Sequence, residues 1–312
     1  MKSKKGKISS KSNKEYRAEA KECIKAYSGR LFAARASVAL ITNGLDMASK
    51  AAGSAIGGLF GKSKSGANTA SSIQHVLTDG ATKIGLARVY TKVAKKQKFT
   101  ISSDLFAGIK NRFTYGVRLN FILPFYSLLA FILGAAIGFG IGSGIGYGVG
   151  KLADYPAIID SEGHTMKVWI LGGIIGAVIL AFLFYSINKF RYALVYYVAQ
   201  DEKLKVQDAM DTISESKNLL NGYKMKLFGI EFFYWLINTC VLLVGVGAAV
   251  GLAFGLKGAS QNASIIAASI TGVVALIALL VVAYITNGRR QVVKALFYLD
   301  LSSLKGNSMV KK

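Results

Sequence analysis

The sequence predicts an all-α, polytopic membrane fold: four transmembrane helices, an amphipathic or partly inserted N-terminal hairpin, and three diverged helix-hairpin repeats. Three observations lead there. Of the 312 residues 52% are hydrophobic, with 34 Gly besides, yet the formal charge is +23. A chain this apolar and this basic places its apolar part in lipid and its charge against an anionic surface. Four runs, 120–150, 168–187, 227–256 and 264–285, hold a single charged residue between them, and each supplies the roughly 20 apolar residues that cross a bilayer. Finally, Pro124 and Pro156 are the only prolines, so long uninterrupted helices are expected.

Taken in order, residues 1–14 form a Lys/Ser tract expected to be a disordered basic tail, too polar to fold alone. It has no apolar core of a cleavable signal peptide. Residues 15–119 read as a cytoplasmic or interfacial helical region with a weak first hairpin. Leu31–Leu45 is apolar but carries Arg35 and Asn43, and Ala51–Phe60 is short and Gly-rich. Over 68–98, Ile73, Val76, Leu77, Ile84, Ala87, Tyr90, Val93 and Ala94 fall at helical spacing on one face. Such a helix lies on a membrane surface or on a partner. Residues 120–187 then form a transmembrane hairpin, 188–226 cytoplasmic amphipathic helices, 227–286 a second transmembrane hairpin, and 287–312 a basic cytoplasmic tail.

Orientation follows from Lys and Arg in the flanks. Residues 1–119 hold 23 Lys/Arg against 6 Asp/Glu, the 189–226 connection seven basic residues, and the segment after Asn287 six. The 151–167 turn carries Asp154, Asp160 and Glu162 against Lys151 and Lys167, and the 257–263 turn only Lys257. Both termini and the middle connection are therefore expected in the cytoplasm of a bacterial cell, with the two short turns outside.

The chain also repeats itself. Ala87-Arg-Val-Tyr90, followed by Val93-Ala94, matches Ala193-Leu-Val-Tyr196, followed by Val198-Ala199. Asp104, Ile109 and Lys110-Asn111 match Asp208, Ile213 and Lys217-Asn218. Arg118-Leu-Asn-Phe121 and Lys226-Leu-Phe228 each lead into an apolar run, with a fainter copy in Lys25-Ala-Tyr-Ser-Gly-Arg-Leu-Phe32. Asn188-Lys-Phe-Arg191 and Asn287-Gly-Arg-Arg290 close apolar runs. The unit is an amphipathic helix, a turn, a helix hairpin and a basic-aromatic exit, with hairpins near 30–86, 120–187 and 227–286.

The segments Thr82-Lys-Ile-Gly-Leu-Ala-Arg-Val-Tyr-Thr91 and Phe99-Thr-Ile-Ser-Ser-Asp-Leu-Phe-Ala-Gly-Ile-Lys110 resemble a bacterial family of integral membrane proteins, as do Tyr192-Ala-Leu-Val-Tyr-Tyr-Val-Ala199, Gly222-Tyr223-Lys224 and Leu227-Phe228. That family is domain of unknown function 975, related to membrane domains attached to some glycerophosphodiester phosphodiesterases. The resemblance covers about 80–300 and implies a plasma-membrane setting of Gram-positive type, with no assigned reaction. This sequence departs from the family in its weakly hydrophobic first hairpin.

Among motifs, glycine spacing is the strongest. Gly134, Gly138, Gly142 and Gly146 recur every four residues, as do Gly247, Gly251 and Gly255, and Gly53, Gly57 and Gly61. Four-residue spacing lines one helix face, where a missing Cβ lets two backbones meet; packing within the chain, an oligomer interface and a pore lining are the three readings. Glu231 is the one charge within a span, with Asn238 two turns on. An intramembrane ionisable group points to ion or proton handling, against the plainer reading that Glu231 reaches headgroup water or pairs with Lys224 or Lys226. Tyr234, Trp235, Trp169 and Tyr185 read as interfacial anchors. Lys2, Lys4, Lys5, Lys7, Lys11 and Lys14 are read as lipid-headgroup contacts, each contributing about 1 kcal/mol near an anionic leaflet, rather than as a nucleic-acid site, which would add Arg and aromatics.

Chemistry is sparse. Ile56-Gly-Gly-Leu-Phe-Gly-Lys-Ser63 lacks the first glycine of a phosphate loop. His75 and His164 are the only histidines, and Cys23 and Cys240 form no framework. No metal, cofactor or catalytic set is expected. The expected partners are anionic lipid and a second copy or another membrane protein. The expected role is a non-catalytic scaffold or accessory protein; the alternatives are a small channel or transporter beside the Gly-rich helices, and a membrane domain assisting a lipid-processing enzyme.

Overall fold

A computed structural model of the chain describes residues 11–152, 157–159, 165–202, 208–255 and 261–309. Its helices are α1 (Asn13–Leu59), α2 (Ser63–Ala94), α3 (Ala107–Leu152), α4 (Val168–Arg191), α5 (Val195–Gln200), α6 (Ala209–Leu219), α7 (Lys224–Gly255) and α8 (Gln261–Met309), with a π-helical turn at Ile101–Leu105. The one non-helical pairing among the described residues is a short antiparallel ribbon, Ala157–Ile159 against Thr165–Lys167, in the segment expected to be a plain turn. Four stretches are long and apolar enough to cross a membrane: Ile101–Leu152, Val168–Gln200, Lys224–Gly245 and Gly272–Leu304. They overlap the four predicted runs and reach into flanking polar sequence, across a kink at Arg112 in the first and a break between α4 and α5 in the second. Pro124 lies inside α3 without ending it.

The chain divides into two compact units. The first comprises Met1–Asn43, Thr82–Gly108 and Leu219–Lys312. Ser12 starts α1 through a reciprocal capping box: its backbone N–H donates to Glu15 Oε2 at 2.5 Å, and the Glu15 N–H to Ser12 Oγ at 3.3 Å. The helix thus begins within the tract expected to be a tail. Tyr16 is fully buried, with its ring edge on Phe297 at 5.7 Å and its hydroxyl donating to Asp300 at 2.5 Å. The π-turn is held to α2 by Asp104, which accepts from Lys92 Nζ at 2.6 Å and from the Thr100 N–H at 2.9 Å, with Arg88 Nε 3.4 Å away. Gly85 permits this: a Cβ there would lie 1.8 Å from the Leu105 carbonyl oxygen. Burial pushes the Tyr90 phenol up to about 12.

The expected basic tail over 287–312 is, through Met309, the continuation of α8, whose Val292, Val293, Ala295, Leu296, Phe297, Tyr298 and Leu301 are buried; residues 310–312 lie outside the described residues. Ala295-Leu-Phe-Tyr298 is a third copy of the Ala87 and Ala193 motifs, hidden in sequence because it follows the fourth span in one unbroken helix. The lead-in copies agree as well: Leu31, Leu119 and Leu227, each just after Arg30, Arg118 or Lys226, are all buried. Repetition therefore extends through all three hairpins.

The second unit comprises Gly44–Ala81 and Ile109–Asn218. Here α1 turns into α2 through Gly61 (φ +67), and Gly53 and Gly57 lie against Gly66. A close approach of Gly80 and Gly116 brings α2 to α3, and Asn120 Nδ2 donates to the His75 and Val76 carbonyls at 3.2 Å. Those α2 carbonyls already serve the helix, so the side-chain amide ties α2 to the start of the apolar run in α3. Asp46 of α1 meets Ser71 Oγ and Lys50 Nζ, the latter at 2.6 Å, with His75 Nε2 3.4 Å away.

Candidate functional site

The two features singled out in sequence take different structural forms. In the second unit, Gly134, Gly138, Gly142 and Gly146 line one side of α3 and meet α4 backbone to backbone. An added Cβ would lie 2.6 Å from Leu180 O at Gly134, 2.2 Å from Gly176 O at Gly138, 2.1 Å from Gly172 O at Gly142 and 2.7 Å from Val168 O at Gly146. The partner face of α4 carries Gly172, Gly176 and Ala181. This is the small-residue seam by which helices associate where no hydrophobic drive separates them from lipid. It is packing within one hairpin, and it leaves no space between α3 and α4 at these four positions. Gly140, Gly144 and Gly148 fall elsewhere on α3 and have nothing within 4 Å. Gly247 of α7 likewise has nothing within 4 Å among the described residues; the surroundings of Gly251 and Gly255 lie outside the described residues.

In the first unit, Glu231 projects from the first turns of α7 and is buried. It meets two cations of α8: Lys294 Nζ lies 2.5 Å from Oε1, and Arg290 pairs with Oε2. Neither expected partner, Lys224 or Lys226, takes this role. Lys226 and Lys224 precede Glu231 by five and seven residues, so one lies on another side of α7 and the other two turns away, whereas α8 presents Arg290 and Lys294 at (i, i+4) spacing directly to the carboxylate. A carboxylate faced by two cations is a structural knot. Removing one member of such a buried cluster leaves an uncompensated charge.

Toward the apolar side the polarity continues for one more rung. Asn238 Oδ1 accepts from the Thr286 hydroxyl at 2.9 Å, with Val282 O 2.8 Å away as a competing acceptor. Around it, the Arg35 guanidinium stacks on Tyr284 at 3.7 Å and donates to the Tyr284 carbonyl, while the Tyr284 hydroxyl donates to Phe32 O at 3.1 Å. Arg17 stacks on Phe233 at 3.9 Å. Arginine at both places ties α1 to the α7–α8 hairpin with its planar face as well as its charge. Sequence reasoning placed Arg290 in an exit motif and missed Lys294, Arg17 and Thr286; the (i, i+4) basic pair on α8 was the signal available.

The remaining expected residues scatter. Lys11 lies 2.8 Å from Glu19, whose carboxylate holds its ammonium above the ordinary lysine range. Lys14 is exposed, and Lys2, Lys4, Lys5 and Lys7 lie outside the described residues. Tyr234 is buried rather than an interfacial anchor, whereas Trp235 is exposed and stacks on Phe232 at 5.6 Å. Among the described residues no group of three or more His, Cys, Asp or Glu is placed to hold a metal ion. His164, Asp160 and Glu162 fall outside them.

Comparison with known proteins gives no match to a family model, a curated protein or a solved structure.

Proposed function

We propose that this chain is a non-catalytic scaffold or accessory protein of the bacterial cytoplasmic membrane, with both termini and the 188–226 connection in the cytoplasm and with basic helices meeting anionic lipid. One observation carries the reading. The two features that would serve a transport path are both occupied by the chain itself: the glycine face of α3 lies on α4 backbone, and Glu231 faces Arg290 and Lys294. What is left for partners is apolar surface on the spans and basic surface on the flanks. The asymmetry of Lys and Arg between the long and short connections supports the orientation. The sequence resemblance to domain of unknown function 975 belongs to this proposal, with the threefold motif as its support.

The test is reconstitution of the purified protein into liposomes of anionic lipid, followed by flux of monovalent cations, chloride, protons and small neutral solutes. A scaffold leaves the vesicles tight. Flux that survives purification and falls in Gly142→Leu or Glu231→Gln would replace this reading by the channel or transporter. Gentle crosslinking in cells is expected to retain a stable protein partner or a second copy, and a solitary monomer would count against the scaffold.

A further inference from the structure

The faces of the first hairpin invert partway along it. Near its base the apolar positions point inward, as in any water-facing amphipathic helix: Tyr16, Ala20, Cys23, Leu31 and Ala34 of α1, and Ile84, Ala87, Tyr90 and Val93 of α2, are all buried. From Ala39 on α1, where Leu40 is already 74% exposed, and before Gly80 on α2, the order reverses. Ser71 and Gln74 are buried, and Asp46 is turned in toward Ser71. Leu45, Met47, Ile56, Leu59 and Phe60 of α1 are exposed, with Leu59 at 83%. Polar and small residues inside with apolar residues outside is the arrangement of helices packing within lipid.

The inversion begins at a defined level. Within the second unit, Gly80 meets Gly116 and the His75 and Val76 carbonyls meet Asn120, the first residue of the apolar run in α3. From there α2 extends back to Ser63, about 25 Å of helix at about 1.5 Å per residue. The outward sides of the two helices differ. On α1, Met47, Ala51, Ala55 and Leu59 lie along one exposed stripe, with Ala48, Ala52 and Ile56 beside it. On α2, Lys64, Ser65, Asn68, Thr69 and Ser72 are exposed, after Lys62 in the turn, and nearer Gly80 so are Ile73 and Leu77. The pair is amphipathic as a unit, and its charged residues, Lys50, Lys62 and Lys64 against Asp46, are net positive.

We propose that residues 44–72 form an interfacial foot: the α1 stripe seats in the headgroup–acyl boundary of an anionic bilayer, while the outer side of α2 stays with headgroups and water, its Lys62 and Lys64 against lipid phosphate. Lipid is the occupant because the stripe adjoins an apolar run of spanning length and because basic residues flank it, the composition of interfacial helices. The inference rests on reading α3 and α4 as spans.

Spin labels on the full-length protein in anionic liposomes test it. Cys240 is replaced by Ser, and Cys23 is kept because it is buried. Single cysteines at Met47, Ile56 and Leu59 report the stripe, Asn68 and Ser72 the outer side of α2, and Leu129 and Phe182 the spans. Collisions with oxygen are expected to exceed those with a nickel chelate at the stripe and spans, and to fall below them at Asn68 and Ser72. Water-like stripe labels beside lipid-like span labels would overturn the foot and leave the spans intact. Water-like span labels would overturn the reading on which it rests. Stripe labels reached by neither reagent would mean that protein covers the stripe, and lipid-like Asn68 and Ser72 would mean immersion of the whole hairpin; either result overturns the proposal. In a second arm, Lys62→Gln/Lys64→Gln is expected to shift the stripe labels outward in anionic vesicles and to leave them unmoved in zwitterionic ones. Equal positions in both would remove the phosphate contact.

Discussion

Replacing Gly142 by Ala tests the α3–α4 seam directly. The new Cβ would sit 2.1 Å from the Gly172 carbonyl oxygen and 3.0 Å from the Gly176 Cα. Ordinary contact begins at 3.4 Å, so the helices must part by about 1 Å at this level. Backbone, unlike a flexible side chain, cannot yield locally. A gap of that size forfeits a quarter to a half of each dispersion contact along the seam, and overpacking of this kind costs about 1–3 kcal/mol. Against it stands the gain in helix propensity from Gly to Ala, at most about 1 kcal/mol. Gly138→Ala, 2.2 Å from Gly176 O, is expected to behave alike. Gly140→Ala and Gly144→Ala add a methyl where nothing lies within 4 Å, so only the propensity gain applies. The inner pair is therefore expected to be less stable than the outer pair by about 2 kcal/mol, more than tenfold in equilibrium constant. SDS-induced unfolding in mixed micelles, followed by circular dichroism, gives the comparison. Equal midpoints for inner and outer variants would show that the seam carries no close contact, and the packing argument would fail.

Four further outcomes follow from the same geometry. Lys294→Ala leaves a buried carboxylate with one cation fewer and is expected to cost about 3 kcal/mol, while Glu231→Gln with Lys294→Met restores much of it; a thermal melt in detergent that places the double variant below both singles would refute the knot. Tyr16→Phe keeps the ring on Phe297 but loses the bond to Asp300, a loss of about 1.5–3 kcal/mol for a charged acceptor, and an unchanged melt would place that hydroxyl in water. Asp104→Asn retains shape but surrenders the charge that Lys92 and Arg88 meet; a lower melting temperature is expected at low salt, with a smaller gap at high salt. Tyr90 has a folded pKa of about 12 against about 10 unfolded. Its neutral form is favoured by folding, so stability is whole below pH 10 and falls as pH rises from about 10 to 12, by about 2–3 kcal/mol. Tyr90→Phe is expected to flatten that part of the pH–stability curve, and an equally steep curve would rule out the burial effect.

The order of amino acids alone sets the four apolar stretches, because transfer into lipid is a local, additive cost that a run of uncharged residues satisfies without help from any distant residue. It also determined the small-residue face of α3, since four-residue spacing fixes a helix side whatever the neighbour. Which backbone that face meets, and which cations Glu231 meets, came only with folding: about sixty residues separate Glu231 from Arg290 and Lys294 in the chain, and only the packing of α7 on α8 brings them together. The third repeat copy at Ala295–Tyr298 became legible through burial, its start masked by an unbroken helix. The reversed faces of the first hairpin had the same cause. Ile73 and Leu77 share the helical spacing of Ile84 and Ala87, but Ile73 is 56% exposed and Ile84 3%. Periodicity says that a helix has two sides. Which side is inside depends on what packs against it, and for α2 that changes at Gly80, where Gly116 of α3 closes on it.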